Sequence, residues 1–395
     1  MEKSKLDDRY NVLVIFHHCD KNNGGVKSML DLMDSLNQYR QVRFFALFPE
    51  RDGSAQKYLE NQGVICKVVP YLRWDYDTKL DILHKLYSLR KLIFPYNYLL
   101  AYGLRSFIVF NHINLVYSNT ITVNFGCILH NIYKIPHIWH FREFGWEDHE
   151  MRCIYGKKTF YHWANAYTDR IIVISESLRK KYVQHIPKDK LSVVYDDVSK
   201  GYIQKKFPEQ FASNRLNFLI AGTLQEGKGQ KIALEAIKEL KSEEIEVSLY
   251  IAGDGTEKFK EELMQLVQKY NLEENVFMLG QVQDMNRLRQ SMQVALVCSR
   301  YEAFGRVTVE AMLSGMLVIG ADSAGTSELI QDKKTGYLYK SGSAKSLADV
   351  IKDAISNRKQ MYEVAARGQQ YAIHTFADGK CAAKVFDIIQ ECVKN

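Results

Sequence analysis

The sequence predicts an α/β protein made of two doubly wound domains, each with a mostly parallel sheet covered by helices. Short apolar runs, typical of buried strands, alternate along the chain with segments whose apolar residues recur at helical spacing. The 395 residues are also too many for one hydrophobic core. Between Val294 and Ile330, a strand, a helix and a second strand are joined by short loops, which is a βαβ unit of parallel strands.

The predicted elements place a domain boundary near the middle of the chain. In the first half the predicted strands are residues 12–16, 44–48, 64–69, 115–118, 137–140 and 170–175, and residues 193–197 close this half. Residues 198–216 are polar and are interpreted as a linker, followed by strands at 217–221, 248–252, 276–279, 294–298 and 317–320. We therefore expect domains at 1–197 and 198–378, with a last helix in 379–395.

Composition excludes several classes of protein. The charged N-terminal stretch lacks the apolar core of a signal peptide, and no stretch reaches the roughly 20 apolar residues of a membrane span. The seven cysteines have neither C-x-x-C nor zinc spacing, so buried free thiols are expected. We expect a cytoplasmic protein that contacts the inner face of the cell membrane, needs no metal and does not bind nucleic acid.

A glycine pair marks the first strand-to-helix turn. Gly24 and Gly25 follow the strand at 12–16 and precede a helical apolar stripe, which is a natural position for a phosphate. The G-x-G-x-x-G fingerprint of dinucleotide binding is absent, and a tight turn is the alternative interpretation.

Residues 82–142 contain no aspartate or glutamate, whereas Lys85, Arg90, Lys91 and Arg105 interleave with aromatic residues there. A basic segment with tyrosine and phenylalanine suits the surface of an anionic membrane. The alternative is that the apolar residues belong to the core and that the lack of acids is chance.

Two further positions are candidates for binding because they follow predicted strands. His140 ends one strand and is followed by Arg142. A metal site formed by His140, Asp148 and His149 is conceivable, but the spacing matches no standard ligand pattern. In the second half, Thr223 and Lys228 lie in a glycine-rich loop directly after the strand at 217–221.

The loop and helix after residue 298 contain two glutamates, Glu302 and Glu310, with seven residues between them. Gly305 allows close backbone approach, and the amides that open the next helix would face an anion. Arg306 is unfavourably placed for the helix dipole unless it meets a phosphate. A carboxylate at Glu310 can accept both hydroxyls of a ribose, so the pattern indicates a nucleoside diphosphate, although ordinary surface glutamates are the alternative.

The whole string resembles the retaining glycosyltransferases of family four, also called glycosyl transferases group 1, which have the GT-B fold and an E-x7-E signature. The matching positions are Glu302, Phe304, Gly305, Glu310, Ala311, Gly315, Gly325 and Glu328. Thr223 stands where the family usually has an arginine, and Arg306 is inferred to compensate for it. The resemblance implies two Rossmann-like domains facing each other across a cleft, with the acceptor bound by the first domain and the nucleotide sugar by the second.

The resemblance also implies roles for the candidate residues. His140 and Glu302 would contact the transferred sugar as catalytic residues. Binding of the donor diphosphate, ribose and acceptor is expected from Gly24, Gly25, Arg142, Thr223, Lys228, Phe304, Gly305, Arg306 and Glu310. The expected enzyme is a hexosyltransferase that moves a sugar from a nucleoside-diphosphate donor, UDP-linked by expectation, to a glycan or lipid-linked acceptor in cell-surface polysaccharide assembly.

Two other functions fit the same architecture. A nucleotide-sugar epimerase would need extra carboxylates near the sugar and no acceptor groove. A non-catalytic scaffold for glycan assembly is supported only by Thr223, and the presence of Lys228, Glu302 and Glu310 argues against it.

Overall fold

The computed structural model describes residues 9–77, 94–149 and 151–394. These residues form two compact units: 1–197 together with 379–395, and 198–378. Within the described residues, no helix is long and apolar enough to cross a membrane.

The N-terminal unit contains a seven-stranded parallel sheet with the strand order β3-β2-β1-β5-β6-β8-β9. Two further strands, β4 and β7, pair antiparallel outside this sheet. The strands are β1 Tyr10–Ile15, β2 Val42–Phe48, β3 Ile65–Val68, β4 Asp75–Asp77, β5 Leu115–Asn119, β6 His137–Phe141, β7 Met151–Cys153, β8 Arg170–Val173 and β9 Leu191–Val193.

Helices cover both faces of this sheet. Successive residues of β1 point to opposite sides, so each face packs against its own set of helices. Val12 and Val14 join a core with the first and last helices, whereas Leu13 and Ile15 join a core with the helices between β4 and β6. The helices are Gly24–Leu36, Ser54–Asn61, Phe94–Tyr102, Arg105–Phe110, Phe125–Tyr133, Trp146–His149, Gly156–Ala166, Glu176–Tyr182 and Lys380–Lys394, with a 3-10 turn at Lys188–Lys190.

The C-terminal unit contains a six-stranded parallel sheet with the order β12-β11-β10-β13-β14-β15. Its strands are β10 Leu216–Ala221, β11 Val247–Ala252, β12 Val276–Gly280, β13 Val294–Val297, β14 Leu317–Ala321 and β15 Tyr337–Tyr339. Its helices are Pro208–Phe211, Gln230–Ser242, Glu257–Lys269, Met285–Gln290, Arg306–Leu313, Ala324–Leu329, Ala344–Ser356 and Arg358–Phe376, with 3-10 turns at Lys200–Tyr202 and Glu226–Lys228.

The segment interpreted as a linker, residues 198–216, is instead part of the C-terminal unit. Phe211 is fully buried in the core of that unit. The ammonium of Lys206 donates to three carbonyls at the end of the helix Met285–Gln290, those of Arg289, Gln290 and Met292, at 2.5–2.9 Å. Polar composition indicated a linker, but the ammonium of Lys206 satisfies the end of a helix instead of meeting solvent.

Candidate active site residues in the two units

In the C-terminal unit, the loop after β10 packs against the end of β13. Gly229 has φ +73, and a Cβ there would lie 2.2 Å from the carbonyl oxygen of Cys298, so only glycine fits. The amide of Arg300 donates to the carbonyl of Gly227 at 3.0 Å. Because the two strands are neighbours and parallel, their loops meet at the carboxyl edge of the sheet.

This packing brings together two of the predicted site residues. Lys228 Nζ lies 2.8 Å from Glu302 Oε2, and both side chains remain partly exposed, by 25% and 17%. Gly305, with φ +91, stands at the N-cap of the helix Arg306–Leu313, and the amide of Gly325 holds the carbonyl of Glu302 at 2.8 Å. The sheet edge therefore presents a lysine, a carboxylate and the start of a helix, which are the groups expected for a sugar diphosphate.

Glu310 is buried, and both of its oxygens face arginines. Arg289 NH2 lies 2.6 Å from Oε2, with both side chains less than 10% exposed, and Arg306 NH2 lies 3.7 Å from Oε1. The ion pair with Glu310 gives the dipole-opposed Arg306 a partner within the protein. Glu310 is therefore not the surface glutamate of the alternative interpretation, and contact of Arg306 with a phosphate stays a prediction.

Two other predicted residues of this unit have partners in the fold. Phe304 is buried and packs edge-on against Phe376, with ring centroids 5.7 Å apart. The side chain of Gln230 donates to the carbonyl of Thr223 at 3.0 Å, while Thr223 itself is exposed. Phe304 thus supports the loop, and a direct substrate contact for either residue stays a prediction.

In the N-terminal unit, the glycine pair opens the helix Gly24–Leu36. Asn23 caps this helix by accepting from the amides of Gly25 and Val26. A Cβ on Gly25 would lie 3.0 Å from the His17 ring and 3.1 Å from Thr120, so this position is tight. Gly24 is exposed with open space beside it. The cap occupies two of the amides that the sequence assigned to phosphate.

His140, at the carboxyl end of β6, is buried in a polar network. Its Nδ1 lies 2.8 Å from the Tyr117 hydroxyl and 3.2 Å from Arg142 NH2. Arginine only donates, so Nδ1 accepts and the ring proton resides on Nε2. Burial and then the Arg142 charge hold the pKa of His140 well below its usual range. His140 is thus a neutral ring whose buried Nε2–H has no hydrogen-bond partner among the residues that the structure describes.

Arg142 is held on three sides by protein groups. Its NH1 lies 2.5 Å from Asp196 Oδ1, its Nε donates to Asn119 Oδ1 at 2.6 Å, and its NH2 faces His140. The amide of Asn119 donates in turn to the carbonyl of Gly25 at 2.8 Å. The structure therefore gives Arg142 a positioning role for His140 and the glycine turn, and direct substrate contact by Arg142 stays a prediction.

The conceivable metal site finds no support in the described residues. The carboxylate of Asp148 accepts from the amides of Phe144 and Gly145, both at 2.7 Å. In the part of the chain that the structure describes, no group of three histidine, cysteine, aspartate or glutamate side chains is arranged to hold a metal ion.

Comparison with known proteins assigns the C-terminal unit. Residues 203–372 match the family model of glycosyl transferases group 1. The matched segment is similar to this family over these residues only. It contains Lys228, Glu302, Arg306 and Glu310, so the ion pairs described above lie within the matched segment.

Curated relatives agree with this glycosyltransferase assignment. An uncharacterized glycosyltransferase of Methanocaldococcus jannaschii is 25% identical over 67% of this chain and 71% of its own length. N-acetyl-alpha-D-glucosaminyl L-malate synthase of Bacillus anthracis is 27% identical over 38% of this chain. That match spans 39% of the Bacillus protein, less than two thirds of its length. The expectation that the protein is a glycosyltransferase is confirmed.

Solved structures confirm the GT-B fold. Anabaena HepE in complex with UDP and glucose superposes with a TM-score of 0.76 and 20% identity, covering 97% of this chain and 100% of that one. Sucrose-phosphate synthase from Thermosynechococcus elongatus has a TM-score of 0.75 and 16% identity, covering 97% and 99%. Both chains are matched over almost their whole length, so the two-domain α/β architecture is shared throughout.

The structure also places beside the candidate residues several side chains that the sequence reasoning missed. Arg289 pairs with Glu310, and Lys206 caps the helix that carries Arg289. His17 lies 3.0 Å from the Asn23 side chain that caps the glycine turn, and burial lowers the pKa of His17 to about 3. Arg289 lies in the helix Met285–Gln290 and belongs to no motif. A single sequence therefore gives no signal that distinguishes it from a surface arginine.

Proposed function

We propose that the protein is a retaining glycosyltransferase that moves a hexosyl group from a UDP-linked sugar to a glycan or lipid-linked acceptor in cell-surface polysaccharide assembly. The observation that carries the proposal is the pairing of Lys228 with Glu302 beside the helix start at Gly305. A partly exposed ion pair at a helix N-terminus can exchange its internal partners for a diphosphate and sugar hydroxyls.

Each group then has a separate task in the proposed reaction. Lys228 and the first amides of the helix Arg306–Leu313 hold the diphosphate and stabilise the charge that develops on it as the sugar leaves. Glu302 accepts hydrogen bonds from sugar hydroxyls once Lys228 has turned to the phosphate. Glu310, held by Arg289, keeps lone pairs for the ribose hydroxyls.

His140 contributes as a neutral hydrogen-bond donor rather than as an acid or base. Its Nε2–H is buried and without a protein partner, which suits a sugar hydroxyl. The chemistry uses cationic side chains and helix termini for the diphosphate, so the proposed enzyme needs no metal cofactor, and activity should persist in a chelator.

The names of the relatives support the sugar class and the pathway. They include a Staphylococcus aureus poly(ribitol-phosphate) alpha-N-acetylglucosaminyltransferase, a Campylobacter jejuni diphospho-undecaprenol-linked galactosaminyltransferase and a Salmonella typhimurium lipopolysaccharide N-acetylglucosaminetransferase. These proteins act on polymers or lipid-linked glycans, which supports a similar acceptor here and a place at the inner face of the cell membrane.

The test is release of nucleoside diphosphate with and without an acceptor. A panel of UDP sugars is first screened for thermal stabilisation, because a ligand bound to the folded state raises the melting temperature. We expect UDP release only with an acceptor, an α-configured product by NMR from an α-linked donor, and a raised donor KM for Glu310→Gln. Epimerised sugar nucleotide without an acceptor would indicate an epimerase, and donor binding without turnover would indicate a scaffold.

A further inference from the structure

Two consecutive helices of the N-terminal unit expose large apolar side chains. Among the described residues, the four most exposed large hydrophobic side chains are Phe110, Leu99, Val109 and Tyr102, with exposed fractions of 82%, 70%, 62% and 59%. All four lie in the helices Phe94–Tyr102 and Arg105–Phe110, which are separated by only two residues. We call these four side chains, together with Arg43, Lys67 and Arg105, the crossover surface, because the two helices lie on the connection between β3 and β5, while Arg43 and Lys67 lie on β2 and β3.

The opposite faces of these helices are buried, so the exposure is not a sign of poor packing. Ala101, Leu104 and Ile108 join the core under the sheet. Leu99 and Tyr102 are three residues apart and therefore share a helix face. Val109 and Phe110 lie in the second helix, which begins after only two intervening residues, Gly103 and Leu104. The four side chains thus all belong to residues 99–110 of the chain.

Three basic side chains lie on or near these helices. Lys67, exposed on the edge strand β3, stands 5.4 Å from the centre of the Phe107 ring. Arg43 stands 5.0 Å from the centre of the Phe45 ring, which meets Phe107 edge-on. Arg105 is exposed at the start of the second helix. No acid occurs between Asp81 and Glu143, so nothing in this stretch offsets these charges.

The structure changes which residues of this region can reach a membrane. Tyr98, one of the aromatic residues expected at headgroup depth, packs against the core and accepts a hydrogen bond from Asn131 at 3.4 Å. Lys85, Tyr87, Arg90 and Lys91 lie outside the described residues. The exposed residues are instead aliphatic and aromatic side chains at 99, 102, 109 and 110.

From this surface we infer that the protein docks on an anionic lipid bilayer, with Leu99, Tyr102, Val109 and Phe110 in the interfacial region and Lys67, Arg43 and Arg105 at the headgroups. Binding at the surface of an anionic bilayer requires exposed apolar side chains together with basic ones. A second copy of the chain would bring the same cations face to face, which disfavours self-association. The inference rests on the proposed function only for its purpose, access to a lipid-linked acceptor.

Docking would leave the carboxyl edge of the sheet free. The second helix leads into the start of β5, and the carbonyl of His112 accepts from Asn11 at the beginning of β1. His140, in contrast, ends β6 at the opposite edge. Loss of docking and loss of chemistry can therefore be measured separately.

The experiment is flotation of the full chain with vesicles of phosphatidylcholine alone or with 30% phosphatidylglycerol, at low and high salt. We expect binding to the anionic vesicles that salt releases. The variant Val109→Ser/Phe110→Ser should lose at least about ten-fold in partitioning, since two large apolar side chains no longer enter the interface. Lys67→Gln/Arg105→Gln should lose roughly five-fold per charge on anionic vesicles.

Matched controls come from the other unit. Met264→Ser removes a side chain that is 54% exposed, and Lys359→Gln removes an exposed charge; neither should change vesicle binding. All variants should keep wild-type activity on a detergent-soluble acceptor. If the wild type itself shows no such activity, the proposed function is contradicted instead. The inference is overturned if the wild type ignores anionic vesicles at low salt, if the controls weaken binding as much, or if the surface variants change only the oligomeric mass.

Discussion

Both units have charged side chains at the carboxyl edge of a parallel sheet, but the two units pair these charges differently. In the N-terminal unit Arg142 is fixed by Asp196, Asn119 and His140, so the polar groups form a closed network. In the C-terminal unit the closed pair, Arg289 with Glu310, lies beside an open one, Lys228 with Glu302. A closed network holds geometry, whereas an open ion pair can exchange partners with a ligand. Substrate charge is therefore expected to act mainly on the C-terminal unit.

The units also differ in composition in a way that makes them separately observable. The four tryptophans, at 74, 139, 146 and 163, all belong to the N-terminal unit. Ten of the eleven histidines lie there as well, and His374 alone lies in the C-terminal unit. Tryptophan fluorescence thus reports the N-terminal unit, while nucleotide binding is proposed to report the C-terminal one.

The largest expected effect comes from removing one partner of a closed ion pair. Arg142→Ala leaves Asp196 buried without this arginine, and Arg289→Ala leaves buried Glu310 with only the more distant Arg306. Loss of one partner of a buried pair costs about 3–5 kcal/mol. We expect Arg142→Ala to lower the urea midpoint seen by tryptophan fluorescence, and Arg289→Ala to leave that midpoint unchanged while lowering the stability seen by far-UV circular dichroism.

Arg306→Ala is the control for this comparison. Its guanidinium lies 3.7 Å from Glu310, against 2.6 Å for Arg289, so we expect a smaller loss of stability. If Arg289→Ala shifts the tryptophan midpoint as much as Arg142→Ala does, the two units unfold together and the proposed separation fails.

The next effect is a pH dependence confined to the N-terminal unit. Burial lowers the pKa of His137 to about 4, whereas an unfolded histidine titrates near 6.5. Between these values the unfolded state binds a proton that the folded state does not, so stability falls as the pH falls from 6.5 to 4. The full loss is about 3 kcal/mol. We expect the stability detected by tryptophan fluorescence to fall in this window in the wild type. The fall should be smaller in His137→Gln, which lacks this histidine.

Glu143 gives the stability a pH dependence of the opposite sign, because its contribution is lost as the pH rises. Burial raises the pKa of Glu143 to about 8, so its contribution is present at low pH and is lost as the pH rises from about 4.5 through 8. Glu143→Gln should remove this alkaline loss and leave the acid limb in place. An acid limb of equal size in His137→Gln would show that His137 is not its source.

A smaller effect is expected on donor affinity from the open pair. Lys228→Ala should weaken UDP binding about 30-fold, as expected for a hydrogen bond to a charged group, and leave uridine binding unchanged. Lys231→Ala is the matched control, because Lys231 lies one turn away and pairs with Glu226 and Glu262 instead. The affinities for UDP and uridine are measured by calorimetry. Equal UDP affinity in the wild type and in Lys228→Ala would show that Lys228 does not contact the diphosphate.

The sequence predicted the architecture because its signals are local. Apolar runs and glycine turns located nearly all the strands to within two residues, and the E-x7-E pattern located Glu302 and Glu310. Partners distant in sequence carried no such signal. Asp196 reaches Arg142 across 54 residues, and Arg289 reaches Glu310 across 21, so these pairs become visible only when the sheets bring them together. Polarity misled at Lys206, where a buried ammonium satisfies a helix end.

The smallest effect tests whether His140 works as a neutral donor. Its Nδ1 accepts from Arg142, so the Nε2–H is fixed toward the buried, unpaired side, and the lowered pKa keeps the ring uncharged at neutral pH. One neutral hydrogen bond is worth about 0.5–1.5 kcal/mol, so His140→Ala should lower kcat/KM about 2- to 12-fold. His140→Gln can still donate through its amide and should recover part of this loss. Because the ring does not titrate in the assay range, the pH profile of kcat/KM between 5.5 and 8 should have the same shape in wild type and His140→Gln. A wild-type limb near pH 6.5 that disappears in His140→Gln would instead make His140 an acid or base, and the closed network would then tune a proton rather than fix a donor.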